Sequence, residues 1–401
     1  MILKGALIPV FFFFITCNVF SQSEPLVLSL EKALEMSRDS RSVLIAEARI
    51  RLAREESKNH RILPPADLLF QRGQMVSSHH DYNVEFLQST GPVYSYYTRK
   101  RIGEKALEQK QLEFEMSINE LEMKVKQVWY NRLYHNENFI HKSQLLHYHK
   151  EKERIAELQH RTGEIGTIEL VTIKTNTALA FSELEDSKAE ILRTDRLLKH
   201  LISADNEIII PDHPLEMYTI EFSTGLTKDF SGRNLQSGYY ALSAELAELN
   251  TFMAKTSMLP EISAGFFQRS INGTSGMYGW QINLNIPLWF LPGNNDRAEA
   301  MIQSEIASYK LEQSINEQEM IIDELIHRLD QIYEKIRFFN QDALGNADFL
   351  EKTVLLRSEN EDIEFDELFR AMVWVSEIRQ AYLETLNEYN QTAIQLEYYV
   401  K

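Results

Sequence analysis

The residues best equipped for chemistry in this chain are its histidines and carboxylates. There are eleven histidines. His79-His80-Asp81 falls between two strand-like runs, and His135, His141, His147 and His149 fall on one long helical stretch. A helix offers two imidazoles to one metal ion at i, i+4, and no pair among these four has that spacing. They are read as surface histidines. Six carboxylates (Glu359, Glu361, Asp362, Glu364, Asp366 and Glu367) crowd one short segment. Repeated around an axis they would form a ring that favours cations. The plainer reading is a solvated helix start, where acids are favoured. No Ser/His/Asp set, phosphate-cradling glycine loop or metalloprotease motif occurs. The expectation is a protein that is not an enzyme, with no cofactor and no bound metal, acting through its shape.

The net charge is −17, and the lysines and arginines are not clustered as a phosphate-binding surface requires, so no nucleic-acid partner is expected. Only 15 glycines and 10 prolines in 401 residues favour long uninterrupted helices. The first segment reads as a signal peptide over 1–21: Lys4 supplies the charge, residues 5–20 are almost wholly apolar, and cleavage is placed after Ser21. A retained membrane anchor and a lipoprotein acylated at Cys17 are the alternatives. Thr16 disfavours the second. Cys17 is the one cysteine, so the processed chain would have no disulfide or thiolate site. No later run reaches the ~18 apolar residues of a membrane helix. If the processed chain spans a membrane it must do so as a closed β-barrel.

The elements that would carry such a shape occur twice. Leu63-Pro64 recurs as Leu259-Pro260, Pro92 as Pro287, and Ile165 and Leu170 as Ile363 and Leu368. The near-constant offset of about 200 is too long for a solenoid repeat and points to a duplicated unit. Each unit reads helix, strand, strand, very long helix, return helix. The first, 22–202, has a helix over 29–62, a β-hairpin over 66–90 and a helical hairpin over 94–202. A linker at 203–232 follows. The second, 233–401, has a helix over 233–258, a β-hairpin over 261–286 and a helical hairpin over 295–400. At 1.5 Å per residue the long helices reach about 100 Å, deeper than any globular core. Phe114, Ile118, Leu121, Val125 and Val128 step by 4, 3, 4, 3. The series from Leu368 to Val400 keeps a heptad-like register broken only at Arg379. Both are coiled-coil seams.

The strands carry the second signal. Tyr278, Trp280, Ile282, Leu284 and Ile286 alternate with Gly279, Gln281, Asn283 and Asn285. Lipid on one face and a wet lumen on the other require this pattern, although half-buried soluble hairpins share it. Tyr278, Trp280, Trp289 and Phe290 are candidates for interfacial girdles. The turn is placed at 272–276. The first hairpin alternates less cleanly, at Tyr82, Val84 and Phe86. Four strands cannot enclose a lumen, and about eight is the minimum, so several copies are needed.

These landmarks together resemble the TolC family of outer-membrane efflux proteins. Leu28 to Ser40 looks like the family's opening helix. The runs Ile62-Leu63-Pro64 and Met258-Leu259-Pro260 look like its helix-to-strand junctions, and Ile286-Pro287-Leu288-Trp289 like its strand-to-helix junction. Arg161, Gly163, Glu164 and Ile165, with Leu170, look like its helical-hairpin turn. Within the family the chain is most similar to members serving heavy-metal-type pumps. The resemblance implies a mainly α fold with a membrane β-barrel, as a homotrimer with twelve strands in the outer membrane and a twelve-helix tunnel across the periplasm. It implies docking of a periplasmic membrane-fusion adaptor at two tips, Arg161, Gly163, Glu164 and Ile165 on one and Glu361, Asp362 and Ile363 on the other. An inner-membrane resistance–nodulation–division transporter would drive the pump, and outer-membrane lipid would surround the barrel. Glu359, Glu364, Asp366 and Glu367 would be an acidic gate. Glu361 stands where the first tip has Gly163, a departure from the pattern. The rivals are a periplasmic adaptor, which would not show two matched halves, and a secreted coiled-coil structural protein, which leaves the 278–286 strand unexplained.

Overall fold

The computed structural model describes residues 26–60, 62–75, 78, 80–91, 93–204, 206–211, 213–220, 234–256, 259–286, 290–360 and 362–400, and only the backbone at 93 and 290–294. The signal-peptide reading with Cys17, the linker reading over 221–232, and the readings placed on His79, Pro92, Met258, Pro287, Leu288, Trp289 and Glu361 lie outside the described residues, as does the side chain of Phe290.

The chain runs β1 (Leu26–Val27), α1 (Leu30–Arg38), α2 (Arg41–Asn59), β2 (Ala66–Gly73), β3 (Asp81–Ser89), α3 (Tyr96–Thr162), α4 (Thr167–Leu201), β4 (Ile208–Ile209), α5 (Leu235–Thr256), β5 (Glu261–Ile271), β6 (Thr274–Asn285), α6 (Phe290–Phe338), α7 (Leu344–Glu359) and α8 (Phe365–Val400). The helix expected over 29–62 is two helices. Ser29 caps the first, accepting from the Lys32 amide, and Asp39 ends it, donating its amide to the Met36 carbonyl. Ser40 is then extended and begins α2. Two polar residues that favour caps over helix interiors make this break. The second helical hairpin, expected from residue 295, starts at Phe290, and its first arm is interrupted by a π-turn at Phe339–Ala343. A single inserted residue of this kind leaves no mark on apolar periodicity. α3, by contrast, runs 67 residues without a break.

β2, β3, β5 and β6 form one antiparallel sheet in that order. The two hairpins are therefore joined, and β2 and β6 are its open edges. Taking as the equator the level where α2 begins and α4 ends, the helices above it touch in the matching order, α2 to α3, α3 to α5 and α5 to α6. Below it the order is α4, α3, α8 and then α6 with α7. Each layer is a single row of helices with two flanks, α2 and α4 on one and α6 and α7 on the other.

The main core lies where the two layers meet. Val125, Trp129 and Leu133 of α3 pack there with Leu198, Ile332 and Leu386. The sequence showed neither β1 nor β4, which pair in parallel, Leu26 with Ile208 and Val27 with Ile209, and lie against this core. Residues 213–220 form neither helix nor strand and lie beside α8. The Asn390 side chain, wholly buried, accepts from the Tyr218 amide (2.7 Å) and donates to the Glu216 carbonyl (2.9 Å), replacing the strand this segment lacks.

The expected five-residue turn at 272–276 is a two-residue Asn272-Gly273 turn with φ of 53° and 76°, the left-handed pair that a tight hairpin demands. Asp81, 1% exposed, accepts from the amides of Asn272 (3.3 Å) and Gly273 (3.1 Å) and from the Ser270 hydroxyl. The start of β3 thereby fixes the turn of the other hairpin. Asp81→Ala should cost about 2 kcal/mol, since buried amides lose their acceptor. Asp81→Asn, which keeps one acceptor oxygen, should cost less. Thermal unfolding of the detergent-solubilised protein measures both, and equal midpoints for Asp81→Ala and the parent would exclude this role.

Candidate functional site

Cross-strand partners share a face. Leu68, Phe86, Phe266 and Trp280 lie in one register row across all four strands, and Phe70, Val84, Gln268 and Tyr278 in the next. Ile282 and Leu284 continue the same face on β6, opposite Ala264 and Ile262. This face is apolar and uncovered: Trp280 is 84% exposed, Ile282 78% and Leu68 72%. Phe266 and Trp280 meet edge to face at 5.9 Å. Every strand-face residue named from the sequence lies here, with Ile286 just beyond the end of β6. The first hairpin, whose alternation looked imperfect, contributes Leu68 and Phe70 in step.

The reverse face is mostly polar: it carries Gln71, Asn83, Glu85, Arg269, Gln281 and Asn283, with Leu69, Leu87, Phe267 and Met277 among them. Asn83 donates to Glu85 at 2.8 Å, and Arg269 stacks on Phe267 at 4.0 Å. β5 and β6 have 11 and 12 residues, the length of a tilted strand crossing a bilayer core. Gly265 is required by close approach: a Cβ there would stand 2.3 Å from the Phe86 carbonyl oxygen. Among the described residues no helix is long and apolar enough to cross a membrane.

About 100 Å from the sheet, at 1.5 Å per residue of α3, lie the two tips. At the first, Gly163 has φ 81° and the Glu164 amide reaches back to the Gln159 carbonyl at 2.9 Å, a Schellman closure. The second tip repeats that bond, from the Asp362 amide to the Arg357 carbonyl at 2.9 Å, both partners 198 positions further on. Arg161, Gly163 and Glu164 are exposed and Ile165 is half-buried. Asp362 is exposed, while Ile363 packs against Val354, Leu368 and Met372. Beside the first tip stands a feature the sequence reading passed over. Ile168 is 86% exposed, and Val171 is exposed one turn further on.

The acidic segment is partly neutralised. Arg357 pairs with Glu367 at 3.1 Å, and Lys152 of α3 approaches Asp366 at 3.8 Å while lying over the Phe369 ring. Glu359, Asp362 and Glu364 remain exposed. The Glu364 carbonyl accepts the first amides of α8, so helix capping explains part of the cluster.

The histidines depart from the surface reading. His147 is exposed, but His135, His141 and His149 sit half-buried in the seams between α3 and its neighbours. His135 lies by Glu190, Arg193, Arg132 and Lys142, His141 by Arg379 and Glu351, and His149 edge-on to Phe369 near Lys152 and Glu183. Burial, aided by the cations, holds all three below the ordinary value of 6.5. The unfolded chain then takes up protons more readily than the folded one. Their contribution is complete above about pH 6.5 and is lost as pH falls from there toward the folded-state values. The urea midpoint should drop between pH 7.5 and 5, and replacing all three by Gln should flatten that slope. An unchanged slope in the triple variant would dismiss the histidines as its source. Among the described residues no group of three or more His, Cys, Asp or Glu could hold a metal ion.

No protein-family model matches the sequence, and no curated protein matches it. Solved structures do match its fold. The CusC transmembrane channel gives a TM-score of 0.76 at 13% identity over 96% of this chain and 95% of that one. The Campylobacter jejuni CmeC outer membrane channel gives 0.78 at 12% identity, covering 92% and 85%. The Neisseria gonorrhoeae MtrE outer membrane channel in its open state gives 0.77 at 12% identity, covering 92% and 88%. The chain is mainly helical and has the fold of these channels over nearly its whole length.

Proposed function

We propose that this chain is an outer-membrane channel of the TolC family, the passive export duct of a tripartite efflux pump. The observation that carries the reading is the sheet. It has one mostly apolar face, one mostly polar face and two unpaired edges, and it stands on helices about 100 Å long. An uncovered apolar face of this extent is stable against lipid and not against water. Open edges β2 and β6 call for another copy at each side. Pairing β6 of one copy with β2 of the next is a head-to-tail contact that closes into a ring. Three copies give twelve strands.

The helical flanks support the same closure. Leu44, Ile45 and Leu52 are exposed on α2, and Ile302, Ile306 and Tyr309 on α6. Lower down, Ile168, Val171 and Leu179 of α4 would face Phe349 and Leu356 of α7. Apolar stripes along both flanks suit a ring of copies far better than a free monomer.

In this reading the barrel spans the outer membrane and the helices cross the periplasm. The two tips dock a membrane-fusion adaptor linked to an inner-membrane resistance–nodulation–division transporter that supplies the energy. Arg161, Gly163, Glu164 and Ile165, with Ile168 added, form one docking surface, and Glu361, Asp362 and Ile363 the other. Glu359, Asp362 and Glu364 carry the cation preference of the mouth, since Asp366 and Glu367 have basic neighbours. Service to a heavy-metal-type pump rests on the sequence resemblance.

The test is fractionation. The protein should enter outer-membrane fractions, run as a trimer that heat dissociates, and open conducting pores in planar bilayers. A soluble periplasmic monomer would overturn the reading. For the tips, Gly163→Val with Ile168→Asp should reduce adaptor capture at least tenfold without altering the trimer. Undiminished capture and efflux would remove the docking assignment.

A further inference from the structure

On the α2–α4 flank, where α2 begins and α4 ends, lies a groove of about 600 Å³. Its floor is apolar, formed by Ile45, Leu121, Leu201 and Ala204. Its rim is basic, with Arg41 and Lys199 beside Lys124. The one acid lining it, Glu120, is paired with Lys124. Ser203, at φ 52°, accepts from the Arg41 amide at 3.3 Å and holds the start of α2 in place. An apolar floor within a basic rim fits an acidic helix bearing one apolar residue.

The chain carries such a segment on its other flank. Residues 316–324 of α6 contain Glu317, Glu319, Asp323 and Glu324 and no lysine or arginine. Met320, 63% exposed, stands on the outward face opposite the buried stripe of Ser314, Gln318, Ile322 and Leu325. Asp323 and Glu324 lie beside it, and the Asp323 side chain is 77% exposed.

The two features also lie at similar heights. Lys126 of α3 meets Glu397, whose neighbour Leu396 packs on Ile322 and Leu325. Around the other side, Gln109 bonds Ser243, and Ser237 of the same helix bonds Gln318. The first route sets Met320 and Asp323 level with about residues 124–127 of α3 and the second with about 117–120, so this α6 stretch lies within about two helical turns of Ser117 to Lys124, the α3 wall of the groove. Rotation about an axis along the helices leaves every residue at its own height. In a closed ring the groove of one copy must therefore face this part of the next.

We infer that the groove at the α2–α4 junction is a latch for a second copy of this chain: it receives the acidic 316–324 segment of the neighbour, Met320 entering between Ile45 and Leu201 while Arg41 and Lys199 face Asp323 and Glu324. The inference rests on the ring reading above and adds to it what sets the order and height of closure. Opposite charges on the two flanks favour head-to-tail contact and oppose like-to-like contact, which would bring basic to basic or acidic to acidic.

The test uses the full chain in detergent and in outer membranes. Arg41→Glu with Lys199→Glu should lower the heat-sensitive trimer at least tenfold. Asp323→Lys with Glu324→Lys should do the same. The chain carrying all four changes should recover the trimer, because the charges are exchanged and still complementary. A misfolding defect on one flank would not be cured by changes on the other, so recovery separates docking from folding. Trimer levels within twofold of the parent in both double variants would overturn the latch and leave the ring intact. So would failure of the fourfold variant to recover while its helix content matches the parent. A parent chain that never forms a trimer would overturn ring and latch together.

Discussion

Ile282→Arg should keep the protein out of the outer membrane, whereas Asn283→Arg, one residue along the same strand, should leave insertion and assembly nearly unchanged. Successive residues of a strand point to opposite faces. Ile282 is 78% exposed on the apolar face, in register with Ala264, and Asn283 pairs with Ser263 on the polar face. An arginine facing lipid near the midplane of a barrel wall costs about 2–4 kcal/mol. The substitution would be present once in every copy, so a trimer would bear roughly three times that amount, on the order of 6–12 kcal/mol. An arginine in a wet lumen bears no such cost. Outer-membrane fractionation with heat-modifiable electrophoresis reads the difference. Equal tolerance of the two substitutions would mean that neither face meets lipid, and the barrel reading would fall.

The second large effect lies at the equator. Lys126 is 2.7 Å from Glu397 and 2.7 Å from the Tyr218 hydroxyl, and the two charged side chains are only 12% and 15% exposed. Tyr218 also bonds Glu397 and meets Tyr130 edge to face at 5.3 Å. Lys126→Met should cost about 3–5 kcal/mol, because it leaves a largely buried carboxylate without the lysine's charge. Lys126→Met with Glu397→Leu should recover most of that loss, since an apolar pair of similar volume is often neutral beside a buried ion pair. Trp129, 5% exposed and in the adjoining core, provides a fluorescence signal for urea unfolding. A single variant within 1 kcal/mol of the parent would show that solvent already screens the pair. A double variant no better than the single would place the lysine's role in packing, not in charge.

Both predictions use side chains whose partners differ in how far the sequence reveals them. The face of Ile282 could be read from the sequence, because the alternation of apolar and polar residues is a local property that each strand carries separately. The second coiled-coil seam was legible for the same reason: the series from Leu368 to Val400 repeats at the helical period and most of it is buried, whereas in the first seam only Val125 is buried and Phe114, Ile118, Leu121 and Val128 are half-buried. Arg379, which breaks the second seam, is explained only by its partners Asp348 and Glu351 on α7. The first tip was legible because a glycine, Gly163, can mark the end of a helix, and the second because Ile165 and Leu170 recur as Ile363 and Leu368. Ile168 was missed, since one exposed apolar residue at the start of an amphipathic helix resembles any core position until its surroundings are known.

The sequence by itself determined the class of object: very long helices, two β-hairpins with one apolar face each and a repeated order of elements. Each of these follows from patterns within about ten residues or from the comparison of one half with the other. Only the tertiary structure decided that the hairpins join through β3 and β5 into one sheet with two open edges. It alone brought Asp81 to a turn 191 positions away, Tyr218 to Asn390 across 172 and Lys126 to Glu397 across 271. It also set a basic groove near the height of an acidic helix on the opposite flank. Contacts at such separations depend on how helices stack and in what order they lie, and a local pattern carries no record of either.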